Sequence, residues 1–83
     1  MDRDKIFEVL KEAAVEVLGV GPEAVIVEAR FKEDLEADSL DLVELVMALE
    51  ERLDITVPEE DLGEVATVGD ALNLVVGKVE ANS

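Results

Sequence analysis

The chain has 83 residues, 49% of them hydrophobic and 35% charged, so we expect residues 1–83 to form a single domain with one modest core. Its 22 acids and 7 bases give a net charge of −15, which disfavours nucleic acid and anionic membrane surfaces as partners. Cysteine and histidine are absent, which excludes disulfides and leaves carboxylates as the main side chains suited to metal binding.

The first predicted element is an amphipathic helix from about Arg3 to Leu18. Apolar residues recur there at helical spacing, and charged residues occupy the opposite side. Gly19 and the following Gly21-Pro22 pair end the helix. The apolar positions are Ile6, Phe7, Leu10, Ala13, Ala14, Val17 and Leu18.

Residues 19 to about 37 show no sustained period, which predicts a long loop. Val25-Ile26-Val27 is compatible with a short strand, but no partner strand is evident. A loop of this length in a compact domain is usually functional. We expect Phe31 and Leu35 to anchor it to the core.

The most strongly predicted helix follows, from Ser39 to about Leu53. Either Asp38 or Ser39 is suited to be its N-cap, and Asp41 lies in the first turn, where a negative charge is favourable.

Two shorter signals complete the fold. Pro58 and the three acids that follow it predict a short helical turn ending near Gly63. Thr67 and Asp70 fit a capping box at the start of a last helix, which reaches Val79. The predicted fold is therefore all-α: a small four-helix bundle of three longer helices and one short helix, with a long loop between helices 1 and 2.

The second helix carries two apolar stripes when its residues are placed about 100° apart on a helical wheel. Either the helix buries both faces, or the second stripe is an exposed protein-interaction patch. Glu44 and Glu51 beside that stripe favour exposure, because burial would leave their carboxylates without partners. The core stripe is Leu42, Leu45, Val46, Leu49 and Leu53, and the second stripe is Leu40, Val43 and Met47.

Negative charge is concentrated around the second helix. Between Glu33 and Glu64 there are 13 of the 22 acids, and Arg52 is the only base. Such a surface is either merely solvated or a docking site that attracts proteins with basic patches.

Ser39 begins the second helix, where a serine is most often a plain N-cap. It is a poor catalytic nucleophile, because the chain has no histidine and nothing marks Lys32 as an activating base. We therefore predict no catalytic residue. A position after a long loop, at the positive end of a helix dipole, does suit a serine that accepts an anionic group from another enzyme.

Asp34, Glu36 and Asp38 alternate as at the start of a calcium-binding loop. Counted from Asp34, Ser39 falls where an EF-hand needs glycine and Leu45 falls where it needs glutamate. We predict no specific metal site, although weak and diffuse binding of divalent cations by the acidic face stays open.

The run from Asp34 to Glu51, which reads DLEADSLDLVELVMALEE, resembles the signature of bacterial acyl carrier proteins. The likeness continues from Asp54 to Glu60 and extends weakly to the first and last helices. It implies one acyl-carrier domain over residues 1–83 that is not an enzyme. It also implies that Ser39 carries 4′-phosphopantetheine, transferred from coenzyme A by a magnesium-dependent phosphopantetheinyl transferase. The terminal thiol of this arm would hold a growing acyl chain as a thioester.

The same resemblance implies two further sets of residues. The partner-docking residues are Asp38, Leu40, Asp41, Val43, Glu44 and Met47. The candidates to line an acyl cavity are Phe31, Leu42, Leu45, Val46, Leu49, Leu62, Val65, Ala71 and Leu74.

Two positions depart from the family pattern. Glu36 stands where the family most often has glycine, and Leu42 stands where a smaller polar residue is common. Neither departure removes the serine.

Several functions remain compatible with the sequence. The resemblance favours a carrier for fatty-acid synthesis that serves the transferase and fatty-acid synthesis enzymes. A carrier of the same fold for a polyketide or other specialised pathway is the main alternative, followed by an unmodified acidic adaptor and a cation-binding protein. We expect a cytoplasmic monomer without membrane insertion, since no apolar run approaches the roughly 18 residues of a membrane helix.

Overall fold

The computed structural model describes residues 2–81 and confirms the predicted all-α fold. No strand occurs within these residues, and Val25-Ile26-Val27 is irregular apart from a turn at its end. The long helices are α1 (Arg3–Leu18), α2 (Ser39–Leu53) and α3 (Val68–Ala81), and two short 3₁₀ helices span Pro22–Ala24 and Glu59–Glu64.

Helix α1 has well-defined ends. The Asp2 carboxylate caps its start by accepting a hydrogen bond from the backbone N–H of Lys5 at 2.9 Å. At the other end Gly19 adopts a left-handed conformation with φ of 71°, and its N–H donates to the carbonyl of Val15 at 3.1 Å. Glycine adopts this conformation without steric cost, so the helix stops where the sequence predicts.

The core lies between the three long helices and is closed by the loops. Helix α1 contacts both α2 and α3, and an ion pair between Glu16 and Arg52 joins α1 to α2 at the surface. No polar or charged side chain is buried within residues 2–81. The largest fully buried side chains are Ile6, Leu10, Val25, Leu45, Leu49, Val68, Leu72 and Val75.

The long loop between α1 and α2 is tied to the start of α3. The N–H groups of Val68 and Gly69 donate to the carbonyls of Ala29 (2.8 Å) and Val27 (2.9 Å). Helix starts have N–H groups without intrahelical partners, and the loop carbonyls satisfy two of them here. Phe31 and Leu35 are only 3% and 5% exposed, which confirms that they anchor the loop to the core.

The predicted capping box at the start of α3 is confirmed. The hydroxyl of Thr67 accepts from the N–H of Asp70 at 3.1 Å, while the Asp70 carboxylate accepts from the N–H groups of Ala66 and Thr67, each at 3.1 Å. These two backbone hydrogen bonds, from Ala66 and then Thr67, lower the pKa of Asp70 below its ordinary value.

A side chain of α2 organises the turn that follows it. The Glu50 carboxylate accepts a hydrogen bond from the N–H of Val57 at 2.9 Å, and Ile55 and Val57 are buried. The turn therefore packs against the core before the second 3₁₀ helix begins. No helix within residues 2–81 is both long and apolar enough to cross a membrane.

Candidate functional site

Ser39 is the first residue of α2, and it is exposed. The N-cap is its neighbour Asp38, whose carboxylate accepts from the N–H of Asp41 at 2.9 Å. In return the Asp41 carboxylate accepts from the N–H of Asp38 at 3.3 Å. The sequence is compatible with either Asp38 or Ser39 as the cap, and in the structure Asp38 has this role.

The helix start is capped without using Ser39. Within residues 2–81 the Ser39 hydroxyl makes no hydrogen bond, and the N–H groups of Ser39 and Leu40 have no acceptor. Free N–H groups at the positive end of a helix dipole favour a bound anion. The hydroxyl is therefore free to carry a group, and the backbone beside it favours an anionic one.

The loop that leads to Ser39 is folded on itself. The carboxylate of Asp34 accepts from the backbone N–H (2.8 Å) and the Nε (3.3 Å) of Arg30, and Arg30 also pairs with Glu33 at 3.2 Å. The hydrogen bond from the backbone N–H of Arg30, followed by the one from its side chain, lowers the pKa of Asp34. The side-chain hydrogen bond to Asp34, followed by the negative charges of Asp34 and Glu33, raises the pKa of Arg30. The final turn places Glu36 at φ of 53°, in the left-handed region that favours glycine.

A cleft of about 510 Å³ opens beside Ser39. Most of its wall is apolar, and it lies between the loop, the start of α2, and the second 3₁₀ helix with the segment that follows it. It is lined by Phe31, Lys32, Glu33, Ala37, Asp38, Ser39, Leu42, Leu62, Val65 and Ala66.

The structure brings four of the nine candidate cavity residues to this cleft: Phe31, Leu42, Leu62 and Val65. The others lie elsewhere. Leu45, Leu49 and Ala71 are buried in the packed core. Val46 lines a separate groove with Val43 and Met47, and Leu74 lines a more polar groove beside Asp61 and Asp70.

The second stripe of α2 faces solvent, as the sequence predicts. Leu40 is 65% exposed and Met47 is 56% exposed, while Val43 is half-buried between them. Asp38 and Glu44 are exposed and Asp41 is half-buried. We call these six residues the docking surface, after the role that the resemblance implies for them; they begin at Asp38, beside Ser39, and continue along α2.

The nearby charges leave the docking surface negative. Arg52 is engaged with Glu16 of α1, away from the acids of the docking surface. Glu50, by contrast, is a structural residue, because its carboxylate holds the N–H of Val57. No sequence signal near Glu50 predicts that contact, whereas an Asp three residues after Asp38 is a recognisable signal of the reciprocal cap.

No group of three or more metal-binding side chains is present within residues 2–81. The alternating acids Asp34, Glu36 and Asp38 have three different structural roles. Asp34 holds Arg30, Asp38 caps α2, and Glu36 forms the left-handed turn between them.

Comparison with known proteins gives consistent matches along the chain. Residues 8–75 match the family described as phosphopantetheine attachment site. The chain is 54% identical to an acyl carrier protein of Wolinella succinogenes over 70 residues, which are 84% of this chain and 92% of that protein. It is 46% identical to an acyl carrier protein of Thermosynechococcus vestitus over 81 residues, which are 98% of this chain and 100% of that protein.

A solved structure matches the fold as well. The solution structure of the acetyl actinorhodin acyl carrier protein from Streptomyces coelicolor superposes with a TM-score of 0.72 and 30% sequence identity. The match covers 100% of this chain and 95% of that chain.

Proposed function

The chain belongs to the acyl carrier protein family, and from that membership we infer that Ser39 is the residue to which its 4′-phosphopantetheine is attached. The protein is a carrier of acyl chains on this covalently bound group. When bound, the group supplies a terminal thiol that forms a thioester with the acyl chain, which a chain without cysteine does not provide.

One observation carries the assignment to Ser39. The Asp38 and Asp41 carboxylates cap the start of α2, which leaves the Ser39 hydroxyl exposed and without a hydrogen-bond partner in residues 2–81. A serine that capped the helix would lose a stabilising hydrogen bond when modified. At Ser39 the modification removes no such bond.

The surroundings of Ser39 fit both ends of the group. The phosphodiester would lie at the start of α2, near the free N–H groups of Ser39 and Leu40. The apolar part of the cargo would be able to enter the adjacent cleft, where Phe31 and Leu42 contribute apolar surface.

The attachment is a transfer from coenzyme A. The Ser39 hydroxyl oxygen forms a new bond to the phosphorus that carries pantetheine, and the hydroxyl proton leaves to a base of the transferase. The bond from that phosphorus to the nucleotide half of coenzyme A breaks, so the nucleotide leaves as a bisphosphate. The chain itself supplies only the hydroxyl, which agrees with the lack of histidine.

We propose that the docking surface receives the transferase and the enzymes of fatty-acid synthesis. Leu40 and Met47 provide exposed apolar contacts, and Glu44 is an exposed acid between them in sequence. A net charge of −15 would speed encounters with basic patches. On this proposal the chain acts as a cytoplasmic monomer and catalyses no reaction itself.

A carrier for a specialised pathway is the second candidate. The relatives named simply acyl carrier protein are 46% to 54% identical to this chain. The structure whose name includes actinorhodin is 30% identical. The higher identity to the former group supports the fatty-acid assignment.

The attachment is tested by intact mass after incubation with coenzyme A, magnesium and a phosphopantetheinyl transferase. We expect wild type to gain the mass of one phosphopantetheine and Ser39→Ala to gain none. Ser83→Ala is the matched control, because Ser83 is the only other serine in the chain. An equal gain on Ser39→Ala would refute the assignment.

A further inference from the structure

One charged side chain that lines the cleft beside Ser39 makes neither an ion pair nor a hydrogen bond within residues 2–81. Three charged residues line this cleft together with Ser39: Lys32, Glu33 and Asp38. Glu33 pairs with Arg30 at 3.2 Å, and Asp38 is engaged in the cap of α2. Lys32 is exposed, and its ammonium forms no ion pair within residues 2–81.

Lys32 is unusual among the bases of this acidic chain. Most of the others are engaged within the described part of the structure: Arg30 with Glu33 and Asp34, Arg52 with Glu16, Lys78 with Asp61, and Lys11 over the ring of Phe7. Arg3 and Lys5 lie in the first turn of α1 and do not line the cleft. In the described part of the chain, Lys32 is therefore the base beside the candidate attachment site that makes no ion pair.

A nearby base would stabilise an anion at Ser39. Asp38 and Asp41 flank the serine, and Glu36 lies three residues before it, so a phosphodiester there would experience repulsion from several carboxylates. The N–H groups at the start of α2 offset part of this repulsion. The positive charge of a lysine that lines the same cleft would offset more of it.

We propose that Lys32 binds the phosphodiester of the 4′-phosphopantetheine attached to Ser39, so that the arm leaves the serine along the Lys32 side of the cleft. This proposal rests on the proposed attachment at Ser39. Arg30 contributes indirectly, because it pairs with Glu33 and Asp34, the two carboxylates that follow Lys32 in the sequence, and so keeps them from pairing with Lys32. The pair is exposed, so it would orient the arm and add only modestly to the stability of the fold.

The experiment compares wild type, Lys32→Gln, Lys32→Arg and Lys5→Gln, each before and after complete loading with phosphopantetheine. Lys5→Gln removes the same charge from α1 and serves as the matched control. Intact mass establishes the loading, and far-UV circular dichroism establishes the fold. The two readouts are the ³¹P chemical shift of the phosphodiester and the change in thermal midpoint that loading produces.

We expect the ³¹P signal to shift in Lys32→Gln relative to wild type, and to stay near the wild-type position in Lys32→Arg and Lys5→Gln. At low salt, loading should raise the thermal midpoint of wild type by about 2–4 °C more than it raises that of Lys32→Gln. This difference should shrink in 0.5 M NaCl, roughly the regime where charges on exposed groups are strongly screened.

Each outcome decides between the proposals. Equal ³¹P shifts and equal midpoint changes in loaded wild type and loaded Lys32→Gln would overturn the role of Lys32 while leaving the attachment intact. Equal changes in Lys32→Gln and Lys5→Gln would overturn it too. The loss of any positive charge would then be enough to produce the change, whatever its position. A wild-type chain that gains no mass would overturn both proposals.

Discussion

Asp38 and Asp41 cap the first turn of α2 reciprocally, each carboxylate accepting a hydrogen bond from the backbone N–H of the other, at 2.9 and 3.3 Å. Ser39 lies between them and takes no part. The acids of this motif therefore have a structural role in addition to the charge they contribute to the docking surface. Modification of the serine would therefore remove no hydrogen bond of this cap.

The cap predicts how substitutions of Asp38 affect stability. Asp38→Ala should lower the free energy of unfolding of the unmodified protein by about 0.5–2 kcal/mol, because the N–H of Asp41 loses its acceptor. Asp38→Ser should retain most of that stability, because serine is also a good N-cap. Urea denaturation at fixed salt measures both. Equal losses in the two variants would show that the charge of Asp38 matters and its cap does not.

Gly69 predicts a second stability effect. A Cβ at this position would lie 2.7 Å from Cγ1 and 3.2 Å from the carbonyl oxygen of Val27, where the loop approaches the start of α3. Gly69→Ala should therefore destabilise the protein by about 1–3 kcal/mol. Gly77, also in α3, has open space around its Cα, so Gly77→Ala should stabilise it by up to about 1 kcal/mol. Destabilisation of the same size by both substitutions would contradict the packing argument.

The docking surface predicts a functional effect without a stability effect. Glu44 is exposed, so Glu44→Lys should leave the fold intact and weaken turnover by basic partner enzymes, more strongly at low salt than at high salt. Steady-state kinetics of the transferase over a range of salt concentrations measures this. Glu12→Lys makes the same charge change on the exposed side of α1. If both variants slowed turnover equally, net charge and not the docking surface would be responsible.

Asp70 predicts part of the pH dependence of stability. Its pKa in the folded protein is lowered by hydrogen bonds from Ala66 and Thr67, so it stabilises the fold above its unfolded pKa of about 3.9. That contribution is lost as the pH falls through the lowered folded value. The difference in unfolding free energy between wild type and Asp70→Asn should therefore be constant above about pH 5 and shrink below about pH 4.

Urea denaturation from pH 7 to pH 3 tests this dependence on Asp70. Glu60→Gln removes an exposed negative charge that makes no such backbone hydrogen bonds, and it controls for the general relief of repulsion. A difference for Asp70→Asn that stays constant into acid, or that follows Glu60→Gln at every pH, would contradict the role of the capping box.

The helices could be predicted from the sequence because their signals are local. The apolar period fixes the buried face of α1, and Gly19 supplies the left-handed residue that ends it. Thr67 and Asp70 are close enough in sequence to form their capping box wherever the chain folds. Glu36 has a positive φ, a conformation that suits the family's glycine, so the departure at this position has a conformational cost.

The parts of the fold and of the candidate site that the sequence does not predict depend on contacts between residues that are not neighbours in the chain. Nothing adjacent to Glu50 indicates that its carboxylate holds the N–H of Val57, seven residues later. Apolar spacing identifies both Leu42 and Leu49 as inward-facing. It does not show that Leu42 lines a cleft whereas Leu49 lies in the packed core. Likewise, Lys32 lines the cleft beside Ser39 because of the way the loop folds, and the number of residues between Lys32 and Ser39 does not predict this.

The most direct test of the central claim is to load the protein with an acyl group and locate the group by tandem mass spectrometry. The chain is incubated with coenzyme A and the transferase, then with a fatty-acid synthesis loading enzyme and its acyl donor, and digested. We predict that the acyl group and the phosphopantetheine are found together on the peptide that contains Ser39. An acyl group found on any other residue, or a loaded peptide without Ser39, would contradict the account.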